Sequence, residues 1–381
     1  MANTLTSLAP TLFSAAREVQ NEPFGVVGAI NTSFDDKGVA KGDTVTVDVA
    51  PTRTASDFTP ANVASAGTDA TASTVAVQIT KSRKVDWNLT GEQQRSLENG
   101  GINQDWVRQL ILQGMRTLRN ETEVDAAAAV AAGASRAYGT AGTAPFGSDL
   151  QALTNARKIL VDNGAPKADL QMVFDTNAGL NLRNLGVLQN AYQAGSDQER
   201  RSGEFLPQMG FRLSESAGIA SHTAGTAASA TTDNAGYAVG ATTLTLASAG
   251  TGTLLAGDVI TFAGDTNKYV VVTGDADVSN GGTFTIQAPG LKVAMSAATK
   301  AITVVGTYTA NLAFERSAVV GVLRPPLIPA NPTIQQLPIS DSMGMTYLML
   351  DIAQYGMRSW ELHMAWGYKT VNPFFSAIVL G

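Results

Sequence analysis

One apolar stripe constrains this chain more than anything else in it: Val107, Leu110, Ile111, Met115 and Leu118 recur every three or four residues, and the pattern runs on into an alanine-rich tail ending at residue 132. That spacing predicts a single helix over residues 103–132, with Asn103 suited to cap its start. At 1.5 Å per residue such a helix is about 45 Å long, far beyond the usual three turns. The domain that holds it must be at least as long, so a small sphere is excluded and an extended, flat subunit is expected.

Around this spine the hydrophobic period changes from 3.6 to 2. Val45, Val47 and Val49 alternate with polar residues, and Val75, Val77 and Ile79 repeat the pattern, which predicts two half-buried strands joined by a polar loop over residues 51–73. A two-stranded ribbon is marginal alone in water and must cover its apolar face. A contact between subunits is the natural candidate, and Arg53 belongs to the same surface. Lys81 and Arg83 then fall on the apolar side before Val85 and Trp87 resume it. They mark either the point where the ribbon leaves its cover, an encounter with acidic groups, or simply solvated charges. Near the start, Leu5, Leu8, Leu12, Ala16 and Val19 follow helical spacing. This is a terminal helix, docked on its own domain or laid on a neighbour.

Beyond the spine, residues 149–162 predict a helix closed by Asn163 and Gly164, residues 170–174 a short buried strand, and residues 177–193 a further helix. Composition then shifts. Residues 222–307 contain no Arg and no Glu but many Thr and Gly, with short β runs at 243–247, 258–262, 269–273 and 283–287. Such glycine-punctuated strands predict a small all-β barrel or sandwich, and because host-like patterns resume afterwards it is an insertion. A Pro-rich connection at 324–338 precedes an alternating strand in which Trp360, Leu362, Met364, Trp366 and Tyr368 share one face, opposite Glu361, His363 and Lys369. Residues 373–380 are apolar enough to end inside a sheet.

Chemistry-bearing patterns are absent from the sequence. It has no cysteine, so disulfides, thiolate metal sites and cysteine nucleophiles are excluded. The two histidines, His222 and His363, have no ligand spacing around them. Residues 275–281 superficially resemble a calcium loop, but Ile286 stands where a bidentate Glu belongs, and a turn is the expected structure. Gly250, Gly252 and Gly257 are followed by no Gly-Lys-Ser/Thr and no helix, so they form no phosphate cradle. A formal net charge of -6 and only 15% charged residues leave no basic footprint for tight phosphate binding. No stretch is long enough to span a bilayer, and the first twenty residues lack a signal-peptide pattern. Neither catalysis, a cofactor, a metal nor a membrane is expected.

The order of features is helical arm (residues 1–37), ribbon with flanks (38–90), spine region (91–147), α/β domain (148–221), inserted β-domain (222–307) and returning strands (308–381). It resembles the α+β capsid fold of tailed bacteriophages named after phage Hong Kong ninety-seven. The texture of Asn311-Leu-Ala-Phe-Glu-Arg-Ser-Ala-Val-Val-Gly-Val-Leu-Arg-Pro-Pro and Gly367-Tyr-Lys-Thr-Val-Asn-Pro is most similar to coat proteins of the P-twenty-two type. This resemblance implies a major capsid protein assembled in a host bacterial cytoplasm. The ribbon would lie over a neighbouring subunit, the spine would belong to a peripheral domain, and residues 149–221 would build an axial domain at capsomer centres. It also implies hexamers and pentamers of the chain itself, a scaffolding protein, a portal, expansion of a procapsid, and double-stranded DNA enclosed without sequence-specific binding. The subunit-interface candidates are Val45, Val47, Val49, Arg53, Val75, Val77, Ile79, Lys81 and Arg83 on the ribbon, with Leu5, Leu8 and Leu12 on the arm. An encapsulin-like compartment shell and a non-enzymatic β-domain surface-binding or tail component are the alternatives.

Overall fold

The computed structural model describes residues 8–20, 25–34, 38–49, 73–93, 103–189, 205–329, 333–340 and 345–381, with isolated positions 55, 57, 58, 60, 95, 203 and 331. Helices are α1 (Leu8–Gln20), α2 (Val26–Ala29), α3 (Asn103–Ala132), α4 (Gln151–Asp162), α5 (Thr176–Asn184) and α6 (Gly186–Gln189). The spine is therefore one uninterrupted 30-residue helix. The strands, numbered along the chain, form three sheets among the described residues.

The first sheet is built on one long strand. Along its edges β18 (Met357–Thr370) pairs with β17 (Thr346–Gln354), with β15 (Val319–Arg324) and with β4 (Lys81–Thr90), while β1 (Asn31–Phe34) and β16 (Ile334–Ser340) form the outer strands. The expected alternation is present: Trp360, Leu362, Met364 and Trp366 are all buried and point at α3. Against them pack Ile111, Met115 and Leu118 of the spine and Leu12, Ala15 and Val19 of α1, all essentially inaccessible. Of the two readings of the N-terminal stripe, docking on its own domain is what this helix does. The Pro-rich stretch is in part a strand: β16 begins at Ile334 and carries Pro338 on the sheet edge, where a missing N–H costs no ladder bond.

The second sheet runs through the α/β region. Here β19 (Ser376–Leu380) lies between β5 (Arg136–Gly139) and β14 (Tyr308–Glu315), and β14 also pairs with β6 (Leu170–Phe174), which pairs with β7 (Phe211–Glu215). β6 and β19 are buried at every position, as their continuous apolar runs require. α4 covers one face, and its C-terminus is closed by Gly164 at φ +84. The helix expected over 177–193 stops at Asn184. Asp175 caps its start through Asn177 and Ala178 N–H, and Leu185 is extended; residues 190–193 lie outside the described residues.

The insertion has its own core, in which Leu244, Phe262, Tyr269, Phe284 and Ile302 are buried together. Its strands β9 (Thr243–Leu246), β10 (Val259–Phe262), β11 (Lys268–Thr273), β12 (Gly282–Ile286) and β13 (Ile302–Val304) match the expected β runs. It is not detached from its host. Lys268 and Tyr269 of β11 pair with Ala137 and Arg136 of β5, β8 (Ser221–His222) pairs with β14, and Val259 and Val270 join the host's core.

Candidate assembly interface

The third sheet is the ribbon. β2 (Thr44–Val49) and β3 (Ser73–Gln78) pair antiparallel with Val45 opposite Val77 and Val47 opposite Val75, so one face is valine throughout. At its base this face is covered by the chain itself. Val77 and Ile79 are fully buried against Val320, Val322 and Ala365 of the first sheet, with Val45 and Val47 half-covered beside them. For Val77 and Ile79 the cover is therefore intramolecular, which corrects the expectation of an intersubunit contact there. The crossing is close. A Cβ on Gly367 of β18 would stand 1.9 Å from the Gln78 carbonyl oxygen, so only glycine lets the ribbon lie flat. Thr80 N–H donates to Trp366 O at 3.1 Å, and Lys369 Nζ donates to Ala76 O at the same distance.

Lys81 and Arg83 meet acidic groups on the spine. Lys81 Nζ lies 2.9 Å from Asp125 Oδ1 and 3.3 Å from Glu121 Oε1, and Arg83 Nε lies 2.7 Å from the same Glu121 oxygen. The hydrogen bond to Asp125 outweighs partial burial and raises the Lys81 pKa. Asp125 also accepts the Trp366 indole N–H at 2.8 Å, fixing spine, ribbon flank and β18 at one point. Glu121 and Asp125 were not singled out in the sequence, although their i,i+4 spacing places them on one helix face. Farther along β4, Lys84 Nζ and His363 Nε2 both contact Glu361, at 2.7 and 2.8 Å. Burial pushes the Glu361 carboxyl up, but the two hydrogen bonds prevail and its pKa is lowered.

Two buried polar groups that sequence reasoning missed organise the rest. Glu123 of the spine accepts Val26 N–H at 2.5 Å, Val27 N–H at 3.0 Å and the Ser216 hydroxyl at 2.7 Å, tying the N-terminal segment to the end of β7. Arg136, 4% exposed, donates to Asn163 Oδ1 and to Asn267 Oδ1, each at 3.1 Å, bridging α4 to the insertion. Its pKa is lowered by burial. Periodicity carries no signal for either, because each partner is remote in sequence.

Of the sequence candidates, Val45, Val47, Val49 and Val75 present a half-buried valine face along the ribbon. Leu8 opens α1 and Leu12 is buried beneath it. Leu5, Arg53 and most of the 51–73 loop lie outside the described residues. Phe58, in that loop, is 90% exposed. Residues 275–281 form a turn in which Asp277 caps a 3-10 segment at 278–280. Among the described residues no three His, Cys, Asp or Glu side chains group to hold a metal, and no helix is long and apolar enough to cross a membrane.

No family model matches the sequence, and no curated relative matches it. Solved structures do. The capsid structure of cyanophage P-SCSP1u superposes with a TM-score of 0.50 at 12% identity, covering 94% of this chain and 88% of that one. A structure from Mycobacterium phage Che8 gives 0.46 at 14% identity over 89% and 85% of the two chains. The asymmetric unit of the bacteriophage PhiM1 mature capsid gives 0.46 at 11% identity over 94% and 87%. On the first of these similarities the chain has the phage capsid fold, as its order of features implied.

Proposed function

We propose that this chain is the major coat subunit of a tailed-phage head, assembling with copies of itself into a closed shell around double-stranded DNA. The observation that carries this reading is the extent of the fold match, which takes in 94% of the chain, arm, ribbon, spine and returning strands together. The physical features agree with it. A flat body on a 30-residue helix, with a valine-faced ribbon, offers repeated interfaces that symmetry can multiply into a strong shell while each stays weak enough to reverse. With a net charge of -6, it would enclose DNA without holding it.

On this reading the subunits form hexamers and pentamers, a scaffolding protein and a portal direct assembly in the host cytoplasm, and the shell expands as DNA enters. No step requires a catalytic residue or cofactor. Negative-stain electron microscopy of the purified protein, alone and co-expressed with the neighbouring genes of its genome, tests the proposal. Uniform closed shells are expected in at least one preparation. Persistent monomers in both would overturn the coat reading in favour of a surface-binding or tail component, and shells packed with a co-expressed protein in place of DNA would favour a compartment.

A further inference from the structure

The molecule carries an apolar hole and an apolar knob, neither of them filled or covered within the chain. The hole is a groove of about 320 Å³ between the C-terminal half of the spine and the insertion. Ala127, Ala128 and Ala131 form its helical wall, Val271 and Ala256 the opposite wall, and Tyr308 contributes to the lining. Its rim is apolar as well, since Val124 and Val272 are each 41% exposed. The lining includes no carboxylate, lysine or arginine, and its one imidazole, His222, is engaged by the buried Asp258 at 2.9 Å. The knob is Phe58, 90% exposed nine residues past the end of β2, within a stretch from residue 54 to 68 whose only charge is Asp57. Nine extended residues reach about 30 Å beyond the ribbon, far enough to leave the subunit.

We propose that Phe58 of one copy seats in this groove of a second copy, so that the insertion supplies half of an intersubunit socket. The inference rests on the shell-forming reading and names the partner surface. Size and chemistry both fit: a dry apolar cavity of about 150 Å³ already accepts a benzene ring, and an uncharged alanine wall lets a ring approach the helix closely. A knob and a socket on different parts of one surface make a heterologous contact, the kind that propagates into rings and lattices instead of closing a pair.

Because the chain has no cysteine, the test is clean. Subunits carrying only Phe58→Cys are mixed with subunits carrying only Ala128→Cys, assembled and mildly oxidised. Disulfide-linked heterodimers that depend on assembly are expected, with none when either variant is oxidised alone. Shells that form from the mixture without this crosslink overturn the proposal. Should the cysteine pair itself block assembly, Phe58→Asp decides: the critical concentration for shell formation is expected to rise at least tenfold while the monomer melts unchanged, and normal assembly by this variant overturns the socket. If the unaltered chain forms no shells under any condition, it is the coat reading that has failed.

Discussion

The ribbon and the insertion are both β-structures attached to the spine, and they are held in opposite ways. The ribbon has two strands and no core of its own. It rests on the first sheet through Val77 and Ile79 and over the missing side chain of Gly367, and its outer valines are only half-covered. The insertion has a closed core and also shares backbone hydrogen bonds, buried valines and a buried arginine with its host. A segment with little intramolecular support keeps its apolar surface for a partner. A segment joined by sheet and core shares the stability of the whole subunit.

The largest test of that contrast is a pair of deletions. Removing residues 224–306 takes away Val259 and Val270 from the host core and uncovers the edge of β5, so soluble subunit should be lost or its cooperative melt abolished. Removing residues 51–72 should leave the melt of the monomer nearly unchanged and eliminate shells. Equal effects of the two deletions on the monomer, measured by calorimetry, would erase the distinction. Next in size is Gly367→Val. With a Cβ placed 1.9 Å from a backbone oxygen, the ribbon base or β18 must shift, at a cost of about 2–3 kcal/mol in urea unfolding. An unchanged midpoint would mean that the ribbon lifts off freely and contributes nothing to the subunit. Arg136→Ala follows at about 2 kcal/mol, since it leaves Asn163 and Asn267 with lost partners inside the junction. The half-exposed Arg83→Ala, by comparison, should stay within about 0.5 kcal/mol.

The elements visible in the sequence were those whose cover lies on one face with a regular period. The spine stripe, the valines of the ribbon and the Trp360 to Trp366 alternation each emerged as periodic signals because each buries one side against a single neighbour. What stayed hidden depends on pairs distant along the chain. Nothing near Gly367 announces that Gln78 crosses above it, and nothing near Arg136 points to Asn267. The union of insertion and host sheet was hidden for the same reason: glycine-rich punctuation marks where strands turn, not which strand they join. Lys81 and Arg83 broke the apolar parity of their strand because acidic partners wait on the spine.

Acid offers a finer probe of the same contrast. The contacts of Arg136 across the insertion junction use amide oxygens, which do not titrate. On the sheet that carries the ribbon, the Lys84 and His363 bonds lower the Glu361 pKa from its ordinary 4.5. A carboxyl depressed in the folded state stabilises it fully above the unfolded value and loses that contribution as pH falls through the folded one. Glu361→Gln should therefore be less stable than the parent near neutrality, and the gap should close as pH drops below about 4. Hydrogen exchange should show the pairing of β4 with β18 losing protection in acid before that of β5 with β11. A stability gap that stays constant with pH would mean that the Lys84–Glu361–His363 cluster is no more than solvated charge, and that the ribbon's platform is as insensitive to acid as the insertion's.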